Sequence, residues 1–166
     1  MSVSVYDITV PVFTRMLTNL LAIMDKAEAN AVERKFDTLV LAQARLAPDM
    51  IPFAGQVMIA TDHAKGCVSR LSGQPIPSWP DTEKSFDELR QRIQKALDLL
   101  ATVTPEQLVR SEAREVVLQI GGKEVRQMGL EYITARAMPN FYFHITTAYN
   151  ILRMNGVPIG KRDYIG

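Results

Sequence analysis

Apolar residues recur at helical spacing in four stretches of this chain. Val10, Phe13, Leu17, Leu20, Leu21 and Met24 form the first stripe. Ser4-Val5-Tyr6-Asp7 ahead of it reads as a capping start, so the spacing predicts a helix from there to about Ala29. Pro11 lacks a donor, so the regular helix is expected after it, or with a kink at it. The second stripe is Met50, Phe53, Ala54, Val57, Ala64, Val68 and Leu71, starting near Pro48-Asp49 and stopping at Gly73. That is about 24 residues, or about 36 Å. The third follows the capping box Ser85-Phe86-Asp87-Glu88, with Leu89, Ile93, Ala96, Leu97 and Leu100 on one face. The fourth spans 138–155, with Phe141, Ile145, Ala148 and Leu152 as its stripe and Gly156 as its stop.

The segments between these stripes differ in character. Asp37 caps a short helical candidate reaching Gln43, and Thr104-Pro105-Glu106-Gln107 starts another single turn. Residues 73–84 carry Pro75, Pro77 and Pro80 and read as a loop. Glu115–Ile120 and Lys123–Met128 flank Gly121-Gly122, the pattern of a small β-hairpin, which needs a surface to pack on. Residues 129–137 read as a helical lead-in, and the tail from Val157 has too many breakers for a helix. The fold expected is all-α. It is a four-helix bundle with a crossover connection, short extra helices and a small hairpin before the last helix, in one domain over 1–166.

Composition adds exclusions. Hydrophobic residues make up 47% and charged residues 22%, and the net charge is +1. No net field favours nucleic acid, an acidic substrate or a membrane surface. The sequence shows no uninterrupted apolar run of the ~20 residues a bilayer demands, and the N-terminus has no basic region followed by an apolar block. Cys67 is the sole cysteine, which rules out an intrachain disulfide and a cysteine-based zinc site. The expectation is a cytoplasmic protein that takes neither nucleic acid nor membrane as a partner. There is no Gly-x-Ser-x-Gly elbow, phosphate-cradling loop or dinucleotide fingerprint.

What chemistry remains centres on two histidines. His144 lies on the shoulder of the fourth stripe beside Asn140 and Ile151, so it can lean into a pocket between helices. His63 falls off the second stripe, on a flank shared with Gln56 and Arg70 at seven-residue intervals. The bland reading of His144 is a half-buried histidine bonded to a neighbour, and of His63 a solvated flank residue that does not converge on His144. Asp62 reads as a surface charge and Cys67 as a small apolar group between helices. The methionines read as gap-fillers. Lys161-Arg162-Asp163 reads as mixed surface charge, with an anion site as the sharper alternative.

Several motifs carry a family resemblance: Leu46-Ala47-Pro48-Asp49-Met50, Gln56-Val57, Ala64-Lys65-Gly66, Arg70-Leu71, and above all Pro139-Asn140-Phe141-Tyr142-Phe143-His144-Ile145-Thr146-Thr147-Ala148-Tyr149. Ile151-Leu152-Arg153, Asn155-Gly156-Val157, Ile159-Gly160-Lys161 and Asp163–Gly166 extend it over nearly the whole chain. With these the sequence resembles the DinB/YfiT-like superfamily, in a branch catalogued as a domain of unknown function. The resemblance implies a four-helix bundle with a crossover, often dimeric. Many such proteins hold a divalent metal (zinc, nickel or iron) on three histidines, one from the second helix and a His-x-x-x-His pair on the last. Some are thiol-dependent transferases or related enzymes. Carried over, His144 matches the second histidine of the pair, Asn140 stands at the first, and Gln56 or His63 would stand in on the second helix. Amide oxygens bind such metals weakly beside imidazole. Two expectations follow. In one, a metal-free or weakly metal-binding dimeric bundle holds a small molecule, with Asn140 and His144 in a polar network and Tyr142, Tyr149 and the tail at a dimer interface or pocket. In the other, an enzyme uses His144: with a metal, as a metal-dependent hydrolase or thiol-dependent transferase, and without one, as a general base with Asn140 orienting it or the substrate.

Overall fold

The computed structural model describes residues 3–166. Four long helices form the bundle: α1 (Val5–Arg34), α3 (Phe53–Ser72), α4 (Phe86–Ala101) and α6 (Met138–Met154). Short helices α2 (Leu39–Gln43), α5 (Gly129–Tyr132) and α7 (Lys161–Ile165) fill the connections, with strands β1 (Glu115–Ile120) and β2 (Lys123–Met128). α3 packs along α6 and α4, while α1 packs along α4 and α6 and meets α3 only narrowly. The order round the bundle is therefore α1, α4, α3, α6. The α1–α3 and α4–α6 connections each cross its diagonal, as the long intervening segments require.

The capping chemistry at the starts is as the sequence predicts. The Ser4 hydroxyl accepts from the Asp7 amide at 3.1 Å, and the Asp7 carboxylate accepts from the Ser4 amide at 3.1 Å. Ser85 and Glu88 make the same reciprocal pair at the start of α4. α1 runs through Pro11 without a break. The carbonyl that loses its donor there belongs to Asp7, which is exposed and open to water. α1 also continues past Ala29 to Arg34. Its stop is Lys35 at φ 57°, a left-handed residue that carries no glycine signal. Arg34 ties that end to the Asn155 carbonyl at 2.8 Å, beyond α6. α3 begins at Phe53, not at Pro48, because Ile51 precedes Pro52 and is steered away from helical backbone. Gly73 and Gly156 end α3 and follow α6 at φ 73° and 86°, as their positions predict.

One core joins these pieces. Phe13 meets Phe141 edge-on at 4.7 Å, and Phe53 stacks on Phe86 at 5.4 Å. Each such fully buried ring is worth about 2–3 kcal/mol of transfer free energy. By length and composition α1 is long and apolar enough to cross a bilayer. Its Phe13, Leu17, Leu20, Met24 and Ala27 are instead the core stripe. The hairpin pairs Glu115 with Met128 through Ile120 with Lys123, round Gly121 and Gly122, both at positive φ. Val116 and Leu118 bury one face of it in the core, which supplies the surface a lone hairpin needs.

The tail departs from expectation. Residues 161–165 form α7, because the Gly160 amide donates to the Asp163 carboxylate at 2.8 Å and the turn lies against α1. Asn19 donates to the Tyr164 carbonyl at 3.0 Å, Lys26 pairs with Asp163, and the Tyr164 ring meets Tyr149 at 5.8 Å. Tyr149 and the tail are thus engaged within the chain. Asp62 also departs from the surface-charge reading. It pairs with Lys65 at 2.7 Å and with the buried Arg92 at 2.9 Å. Arg92 further holds Asp81, Glu83 and the Pro80 carbonyl, which pins the proline-rich loop to the bundle.

Candidate functional site

α3 and α6 lie side by side, and their facing flanks bring the candidate residues together. Gln56 is fully buried. Its side-chain nitrogen donates to the Ile51 carbonyl at 3.1 Å, which fixes the amide orientation and aims its oxygen at His144. That oxygen lies 2.8 Å from His144 Nδ1. An amide oxygen only accepts, so Nδ1 carries the proton and Nε2 keeps its lone pair. One turn-pair along α3, the His63 ring stacks on His144, centroids 5.8 Å apart and planes 15° from parallel. Phe143 stands edge-on to His144 at 5.2 Å and is itself exposed.

His63 is therefore not a solvated flank residue: it is half-buried and shares a site with His144. The helical wheel of α3 alone puts it off the apolar stripe. α6 covers that flank, which a single-helix reading does not contain. Asn140 takes a different part from the one expected. Its amide donates to the Arg136 carbonyl at 2.7 Å, one turn back on its own helix, and makes no bond to His144. It caps the backbone just after the π-helical turn Ile133–Ala137. Such turns occur mostly as single-turn bulges inside α-helices, and frequently at functional sites.

The electrostatics favour neutral imidazoles. Burial pushes His63 down to about 4, helped by repulsion from His144, Arg70 and Arg136 and opposed by Asp62. Burial lowers His144 as well. Arg70 reaches from α3 over Gly66, donates to the Tyr132 hydroxyl at 3.2 Å and lies against that ring. Burial drives the Tyr132 hydroxyl up to about 12, so it stays protonated. Cys67 is fully buried and its thiol is likewise pushed up to about 12, which makes it an inert packing group, as its apolar setting predicts.

A divalent metal does not fit the donors as they stand. His144 Nδ1 is occupied by Gln56. Among the described residues, no group of three or more histidine, cysteine or acidic side chains is placed to hold an ion. What the arrangement does offer is one neutral imidazole with a fixed tautomer and a free Nε2 acceptor. An open, mostly apolar cavity of about 310 Å³ lies elsewhere on α3, lined by Ile51, Gly55, Met58 and Ile59 together with Ala42, Asp81 and Glu83; neither Gln56 nor either histidine lines it. Arg70, Tyr132 and Arg136 were not among the candidates read from sequence. The seven-residue spacing of Gln56, His63 and Arg70 was the signal that pointed to the first of them.

The family model described as "Domain of unknown function (DUF1993)" matches residues 5–165. No curated protein matches the chain. Among solved structures, the crystal structure of a DinB family member protein from Shewanella denitrificans at 1.83 Å resolution is 45% identical. The match covers 97% of this chain and 91% of that one, with a TM-score of 0.91.

Proposed function

The chain belongs to the DUF1993 family, a branch of the DinB-like superfamily, and from that premise we propose a metal-free or weakly metal-binding homodimeric bundle that holds a small molecule beside His144. The observation that carries this is the buried Gln56 amide bonded to His144 Nδ1. A fully buried amide with both ends bonded is a built polar contact, and it stands where the resemblance calls for a metal-binding imidazole. His144 Nε2 is left to accept a hydrogen bond, or a proton, from a bound molecule.

A metal-dependent hydrolase or transferase built on His144 would need further donors converging on one point. The Gln56 and Asn140 amides are engaged in hydrogen bonds, and among the described residues no group of three or more histidine, cysteine or acidic side chains is placed to hold an ion. Titrating zinc into stripped, untagged protein tests the proposal by calorimetry. No saturable binding is expected. Stoichiometric, saturable binding abolished in His144→Ala would overturn it. The dimer is supported by the exposed aromatics Tyr142 and Phe143 on α6. Light scattering should give twice the chain mass of 18.6 kDa, and the single-chain mass would refute it.

A further inference from the structure

The first half of α1 presents a face to solvent that the His144 site does not use. Asp7, Val12 and Tyr142 line two cavities at once. One, of about 340 Å³, continues to Arg15 and Ile165. The other, of about 470 Å³, continues to Ile133 and Met138. The three shared residues therefore form a ridge with a groove on either side. Tyr142 and Ile165 are exposed, and Ile8 and Val12 are half-covered. The face joins α1, the start of α6 and α7. A ridge between grooves is a shape that a second copy of the same surface can fit about a two-fold axis.

The charges on this face suit the same partner. Asp7 and Arg15 are both exposed and border one cavity. Eight residues separate them, about 12 Å along the helix axis. Neither makes an ion pair within 4.0 Å among the described residues. Pro11 lies midway between them. Two copies of α1 crossing antiparallel at Pro11 place each Asp7 against Arg15 of the partner subunit, and the two-fold axis makes the contact twice. Pro11 also leaves the Asp7 carbonyl without a helical donor. The carboxylate and that carbonyl are two acceptors on one turn, which suits the fork of a guanidinium.

We propose that this face is the homodimer interface, with α1 crossing its counterpart at Pro11 and Asp7 of each chain paired with Arg15 of the partner subunit. This rests on the homodimer reading above and names the surface that makes it. The two charge pairs set the register, and Val12, Tyr142 and Ile165 supply the apolar contact.

Sedimentation of the full chain measures the dimer dissociation constant for wild type, Arg15→Glu and Asp7→Lys. Each variant sets like charges against each other at both pairs, so each should dimerise about tenfold or more weakly. Mixed one to one, the two variants face each other with opposite charges at both pairs. Native mass spectrometry of the mixture should show the heterodimer in excess over either homodimer. Arg153→Glu, toward the other end of α6, should dimerise as wild type does. A wild-type dimer that Arg15→Glu leaves intact, or a mixture with no preference for the heterodimer, overturns this surface and leaves the homodimer standing. A wild type that stays a single chain overturns both, and the face is then open to another partner. Asp7→Lys also loses the reciprocal cap with Ser4. Should it fail to fold, Arg15→Glu against Arg153→Glu carries the comparison.

Discussion

Replacing Gln56 by alanine should both destabilise the bundle and release His144. The side chain is fully buried and makes two hydrogen bonds, to the Ile51 carbonyl and to His144 Nδ1. Each is worth about 1 kcal/mol net. Ile51 is exposed and His144 half-buried, so water can reach both orphaned groups and the full penalty of an unsatisfied buried group does not apply. Truncation also opens a void between α3 and α6, adding about 1 kcal/mol for the incompletely refilled space. The sum is about 3 kcal/mol, which for a domain of this length lowers Tm by roughly 6–12 °C. The second readout is specific. Nitrogen NMR of His144 should show the Nδ1–H tautomer in the wild type and lose that fixed tautomer in Gln56→Ala. A variant that melts within 2 °C of wild type and keeps the same tautomer would show that the Gln56 contact does not hold His144 (the ~2 °C margin being under 1 kcal/mol).

Other consequences are open to direct measurement. His63 titrates at about 4 in the fold and at 6.5 as an ordinary histidine, so between those values the unfolded chain binds a proton that the folded one does not. Stability therefore falls as pH drops from 6.5 toward 4, and chemical denaturation should show a shallower fall in His63→Gln; an identical pH profile would remove His63 from the balance. Arg92→Leu leaves Asp62, Asp81 and Glu83 without their common cation, and these carboxylates are partly exposed, so a loss of about 2–4 kcal/mol and faster proteolysis within residues 73–84 are expected. Unchanged cleavage there would show that Arg92 does not anchor the loop. Gly129→Ala would force a methyl against the Ser111 carbonyl oxygen, a backbone atom that cannot swing away, so it should cost about 3 kcal/mol by denaturant midpoint. A midpoint equal to that of wild type would mean the α5 junction is looser than it looks.

The long helices were legible because each carries its own signal. Stripes at 3.6-residue spacing, serine caps with an acid three residues on, and glycine stops at 73 and 156 are local in sequence. The hairpin was legible from its alternation round Gly121-Gly122. Where the reading stopped short, the deciding partner lay elsewhere in the chain. Lys35 ends α1 without a glycine, held by the Arg34 contact to the far end of α6. α7 forms amid breakers because α1 supplies Asn19 and Lys26 to fix it. At the site, Gln56 and His144 were candidates from their positions. Their contact and the stacking of His63 depend on how closely α6 lies on the flank of α3, which no single-helix periodicity encodes. Asp62 was misread for the same reason, since its partner Arg92 is on α4.

The account stands most directly on the metal content of the protein as purified. Untagged wild type and His144→Ala should be compared by inductively coupled plasma mass spectrometry for zinc, nickel and iron. The arrangement of Gln56, His144 and His63 predicts far less than one metal per chain in both. Near-stoichiometric metal in the wild type that disappears in His144→Ala would contradict it, and would mean that the amide-bonded histidine observed between α3 and α6 rearranges to bind an ion.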